Sequence, residues 1–79
     1  MTKTIRLRNI QDMENISAIV SKYPYDIWIH GKSGMADAKS ILGMFVLKLD
    51  EPLTLVIPSH AEGDELLDQL LEELKEFFI

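Results

Sequence analysis

The sequence contains no cysteine, so neither a disulfide scaffold nor a thiolate metal centre can be built from it. Its two histidines, His30 and His60, cannot alone close a structural metal site. No apolar run approaches the roughly 18–20 residues that cross a bilayer. The opening stretch, Met1 to Arg8, has no apolar signal core. A soluble, cytoplasmic protein is the expectation. A positive excess is missing too: the net charge is −5, which gives no general attraction for nucleic acid or anionic lipid. Lys3, Arg6 and Arg8 are a local exception, too few to argue a nucleic-acid interface.

What is present suits a small globular domain. Of 79 residues, 47% are hydrophobic and 27% charged, a balance that excludes disorder. One domain, residues 1–79, fits this length, and a chain so short buries only about 60–65% of its unfolded surface. The negative charge is concentrated. From Ser59 to Ile79 there are seven acids against one base, Lys75, leaving a charge of +1 for residues 1–58. Most of these acids fall on one face of a helix, as a solvated face does.

Hydrophobic periodicity orders the elements. Thr4 to Arg8 alternates as a half-buried strand, with Ile5 and Leu7 inward and Thr4, Arg6 and Arg8 outward. Ile10, Met13, Ile16 and Val20 mark a helix with one buried stripe, capped by Asn9, with Asp12 in its positive first turn and Pro24 beyond its end. Tyr25 to His30 is a second strand, with Ile27 and Ile29 inward. Gly31 to Gly34 is a turn, and Met35 to Ala38 a short third strand. Ser40 caps a short helix through Leu47. Leu53 to Ile57 is the fourth strand. Ser59 and Glu62 have the spacing of a capping box, ahead of a helical stripe of Leu66, Leu67, Leu70, Leu71, Leu74, Phe77 and Phe78. The sum is βαββαβα, an α+β fold in two layers, with helices on one sheet face only.

Three stretches then carry a family resemblance. They are Ser21-Lys22-Tyr23 at the end of the first helix, Lys39-Ser40-Ile41-Leu42-Gly43 at the second, and the acidic, leucine-bearing helix after the fourth strand. In these the sequence resembles HPr, the histidine-containing phosphocarrier of the bacterial sugar phosphotransferase system. The resemblance implies an open-faced β-sandwich with a four-stranded antiparallel sheet, order 1-4-2-3, under three helices. It also implies a bacterial protein with protein partners; no cofactor, metal, nucleic acid or membrane is expected.

The resemblance departs where the chemistry should be. Counting back from Ser21 without gaps, the family's phosphorylatable histidine falls on Asn9, its arginine on Gln11 and its proline on Asp12. A carboxamide nitrogen is delocalised and a poor nucleophile, whereas imidazole offers a lone pair near neutral pH. On this alignment the guanidinium is missing and Asp12 repels phosphate. No catalytic residue is therefore expected.

Other residues keep two readings each. Ser40 matches the family's regulatory phosphorylation position, or is a helix cap alone. Ile41, Leu42 and Phe45 match its partner-docking patch, or pack into the core. Trp28, with Arg6 and Arg8 as neighbours, is either a dimer surface on the open sheet face or an indole stacked by arginine. His30 is expected on the open face and His60 in a solvated loop. The expected role is a non-enzymatic regulatory or interaction module related to the phosphotransferase system. The alternatives are a working phosphocarrier using a non-standard residue, and a homo-oligomer joined through the open face.

Overall fold

The structure, a computed structural model, covers residues 1–79. Its elements are β1 (Thr2–Ile5), α1 (Ile10–Val20), β2 (Trp28–Gly31), β3 (Gly34–Asp37), α2 (Ile41–Met44), β4 (Leu53–Val56) and α3 (Glu65–Leu74). Short 3-10 turns, Ser59–Ala61 and Lys75–Phe77, flank α3. The four strands form one antiparallel sheet in the order β1-β4-β2-β3. Ile5, Leu7, Ile27, Ile29, Leu53, Leu55 and Ile57 all point to one face and are at most 1% exposed. The buried stripes of α1 (Met13, Ile16, Val20) and α3 (Leu67, Leu70, Leu74) close over them, with Met44 and Leu47 from the α2 region. This is the expected α+β arrangement, with order 1-4-2-3 and three helices on one side.

Boundaries shift for local reasons. The sequence pattern predicts β1 over Thr4 to Arg8, but the strand spans Thr2–Ile5, its ladder with β4 ending at the Ile5–Leu53 pair while Arg6 N–H turns to the Phe77 carbonyl on the other edge. At the other end, Met1 exchanges backbone hydrogen bonds with Ile57. The alternation itself holds: Ile5 and Leu7 are buried, Arg6 and Arg8 exposed. β2 starts at Trp28, not Tyr25, since its register with β4 runs into Pro58. Ile10 does not belong to the buried stripe of α1; it is 53% exposed. The helix of α2 is a single turn ending at Met44, and Phe45, Val46 and Leu47 follow in tighter turns bonded three residues back.

The largest correction concerns α3. Ser59 and Glu62 do not cap it. They belong to a separate 3-10 turn, which Gly63 ends in a left-handed conformation (φ +87°). Asp64 is the cap, its carboxylate accepting from the Leu66 N–H at 3.0 Å. Leu66 faces solvent, while Leu71 and Phe78 are half-buried. Beyond α3 the chain returns along the outer edge of β1. Arg6 N–H donates to the Phe77 carbonyl and Ile79 N–H to the Thr4 carbonyl, and Phe78 pairs with Ile5.

Candidate functional site

The first candidate is the N-terminal end of α1. Asn9 is extended (φ −162°, ψ 179°), and its side-chain oxygen accepts from the Asp12 N–H at 2.9 Å, while its carbonyl accepts from Met13 N–H. Its carboxamide oxygen is therefore engaged in holding the first turn. Gln11 lies on the exposed side and donates to Asn15 at 3.0 Å, along the helix rather than across its end.

A guanidinium does stand here, contrary to the alignment. It comes from Arg8, before the cap. The Asp12 carboxylate is buried and accepts three bonds from Arg8: the backbone N–H at 2.9 Å, Nε at 2.9 Å and Nη2 at 3.3 Å. These bonds hold the Asp12 carboxyl below its usual range and raise Arg8. The local charge is thus satisfied internally. The end of α1 carries a matched ion pair rather than an unpaired cation facing solvent.

Neither histidine joins this end. His30 stands opposite Thr54 in the β2–β4 ladder and alternates with buried Ile29, so it lies on the sheet face away from the helices. His60 lies in the 3-10 turn after β4, at the end of the sheet where β1 begins, whereas α1 follows the end where β1 stops. No group of three His, Asp or Glu side chains is placed to hold a metal ion.

The second candidate is α2. Ser40 is half-buried and caps the turn, its hydroxyl accepting from the Gly43 N–H at 3.1 Å. A side chain at residue 43 would bring Cβ to 3.2 Å from that hydroxyl, which explains a glycine inside a helix. Lys39 reaches back to the Tyr23 carbonyl at 2.7 Å and ties α2 to the end of α1. Leu42 and Phe45 are 83% and 53% exposed, while Ile41 is half-buried. Val46, 48% exposed, follows Phe45, and its side chain lies close to Gly34 at the start of β3. Ser33 at the tip of the β2–β3 turn donates to the Val46 carbonyl at 2.8 Å and steadies this segment.

The third is the open sheet face. Trp28 is 38% exposed, and its row neighbours are Val56 and Asp37. Arg8 is not among them, since it is bound to Asp12. Arg6 lies beyond Ile5, at the far end of the sheet from the Thr2–Val56–Trp28 row. An arginine stacked on Trp28 is therefore ruled out; the one cation over an aromatic ring is Lys3, 5.8 Å from the centre of Phe78.

Ion pairs and phenols fasten α1 to α3. Lys22 Nζ lies 2.5 Å from Glu73, which also accepts from the Tyr23 hydroxyl; Glu73 is held low by Lys22 and Tyr23, and Tyr23 is raised. The Tyr25 hydroxyl is buried without a hydrogen-bond partner in good geometry, and burial, with the nearby Asp64 carboxylate, pushes it up.

No protein-family model and no curated protein matches the chain. Solved structures do. HPr-C-His from Thermoanaerobacter tengcongensis superposes with a TM-score of 0.71 at 23% identity, over 96% of this chain and 91% of that one. The histidine-containing phosphocarrier protein of a mycoplasma gives 0.67 at 16% identity, over 96% and 86%. This chain has the HPr-like fold.

Proposed function

We propose that this chain is a degenerate member of the HPr family, a non-enzymatic interaction module related to the phosphoenolpyruvate-dependent sugar phosphotransferase system. The observation that carries the reading is the state of Asn9, whose carboxamide is used as the cap of α1 in the position where the family alignment puts a histidine. Arg8, which would otherwise be free to hold a phosphoryl group, is paired with Asp12. Docking falls to Leu42 and Phe45, with Ile41 and Val46 beside them, because exposed apolar side chains in one cluster favour a protein partner. Ser40 is the candidate switch. A phosphate there would meet the positive end of the turn without displacing a buried group.

Incubation with phosphoenolpyruvate and the general phosphotransferase enzyme, read by intact mass, tests the loss of carrier activity. No change is expected, and an acid-labile gain of one phosphate overturns the reading. Incubation with a serine kinase and ATP tests the switch. The expected product is an acid-stable phosphate that is absent in Ser40→Ala. Protein partners captured from cytosol on the native protein are expected to be lost in Leu42→Glu.

A further inference from the structure

We propose that the uncovered face of the sheet is a self-association surface, on which two copies of this chain meet as a symmetric dimer. The side chains pointing away from the helices form two rows. Strand register sets Thr2, Val56, Trp28 and Asp37 across one row, and Thr4, Thr54, His30 and Met35 across the next. The pairing of Ile5 with Phe78, with Ile79 N–H on the Thr4 carbonyl, sets Ile79 beside Thr4 at the outer edge. Trp28, Met35 and Ile79 are thus exposed by 38%, 53% and 69% on this one face. Trp28 and Met35 adjoin across the sheet from the α2 patch, while Ile79 lies at the opposite edge, beyond Thr4, Thr54 and His30.

Charge identifies the occupant. Arg6 stands at one corner, past the end of β1, and Asp37 stands at the diagonally opposite corner, at the end of β3. Neither takes part in an ion pair within the chain. They are three strand spacings and about four residues apart, roughly 14 Å by 13 Å. A two-fold axis running between two facing sheets, near Thr54 and His30, lays each Arg6 on the partner's Asp37. An unrelated protein must evolve that arrangement, but a second copy carries it already, because an isologous interface pairs residue i with j and j with i. The size is modest. One broad face of a body with 4600 Å² of accessible surface supplies roughly 600 Å², so two copies bury about 1,200 Å², the low end for a specific interface. The dimer is accordingly weak and concentration-dependent.

This inference stands apart from the proposed docking at α2, and one experiment separates them. Sedimentation velocity and the emission of Trp28, the only tryptophan, are followed from about 10 μM to about 1 mM protein at low salt. Mass is expected to rise from 9.0 kDa toward twice that value, with the emission shifting to the blue. Arg6→Glu and Asp37→Lys are each expected to weaken association about tenfold or more, and an equimolar mixture of the two is expected to restore it. Asp37→Asn keeps the oxygen that accepts from Lys39 N–H, so weakening in that variant traces to charge rather than to a disturbed turn. Leu42→Glu is expected to associate as the parent does. A constant 9.0 kDa throughout, association indifferent to both reversals, or a mixture that fails to recover would each overturn the proposal.

Discussion

Removing the Asp12 carboxylate tests the account of the α1 terminus most directly. In Asp12→Ala, three hydrogen bonds from Arg8 disappear and a carboxylate is lost from the first turn of a helix. The guanidinium arm is 67% exposed, so its share is screened and small. The larger share belongs to the Arg8 backbone N–H, bonded to a buried charged acceptor, together with the favourable position of the charge in the helix dipole. Hydrogen bonds to charged groups and such dipole contacts together place the loss at about 2 kcal/mol. For a domain of this size that lowers the melting temperature by about 10 °C. Asp12→Asn keeps one acceptor oxygen and is expected to lose about half as much. The pH dependence has a definite sign. The folded pKa of Asp12 lies below its unfolded value, so its contribution is full above about pH 4 and fades as pH falls through the folded value. The stability difference between the parent and Asp12→Asn must therefore shrink in acid. Glu73 and Asp64, also held low, titrate in both proteins and cancel in that difference. Thermal unfolding followed by circular dichroism from pH 7 down to about pH 2 measures it. An unchanged midpoint for Asp12→Ala at pH 7, or a difference that persists undiminished in acid, would refute the reasoning.

Further expectations follow from the α2 region. Ser40→Ala removes the cap and is expected to cost about 1 kcal/mol in urea unfolding, while Ser40→Asp, which keeps an acceptor for the Gly43 N–H, is expected to retain most of it. Leu42→Glu, at a position 83% exposed, is expected to change stability by less than about 0.5 kcal/mol, whereas Met44→Ala, two residues on and fully buried, is expected to cost about 3 kcal/mol. Lys39→Met keeps the aliphatic stem but frees the Tyr23 carbonyl, with an expected loss of about 1 kcal/mol and faster amide exchange at the end of α1.

The two layers were legible because the apolar alternation of Ile5 and Leu7, Ile27 and Ile29, and Leu53, Leu55 and Ile57 is strict, and burial enforces it, whereas the strand order came only with the family resemblance. The Asn9 cap was legible because a side-chain oxygen before an apolar stripe has few other uses. Element ends were not, because they depend on partners distant in sequence: β1 stops where its ladder with β4 ends at Leu53, and β2 starts where the ladder has passed Pro58. At α3 the capping-box spacing of Ser59 and Glu62 was misleading, because the left-handed Gly63 ends that turn and leaves Asp64 to cap the helix. Arg8 was missed for a different reason. A four-residue spacing to Asp12 is read as an ion pair inside a helix, but Arg8 precedes the cap, so only the turn of the chain at Asn9 brings the two together.

The resemblance to a phosphocarrier rests on residues whose work here is structural. Lys39 ties the end of α1 through the Tyr23 carbonyl, Ser40 caps α2, and Gly43 leaves room for the cap hydroxyl. Lys22 and Tyr23 fasten α1 to α3 through Glu73. Each of these tasks is needed to seat two helices on the sheet, whatever the protein goes on to do. Phosphoryl transfer needs something else at the end of α1: a nucleophilic nitrogen and an uncommitted cation. On the family alignment those requirements fall on Asn9 and Gln11; Asn9 is a helix cap, and the guanidinium that does stand nearby, Arg8, is closed in an ion pair with Asp12. Motifs that hold a fold together are needed whatever chemistry the fold positions, so the signature predicts architecture far better than activity. The corollary is that restoring a histidine alone, Asn9→His, exchanges a cap for an imidazole while leaving Arg8 bound to Asp12. Such a variant is expected to accept phosphate poorly until Asp12 is neutralised as well.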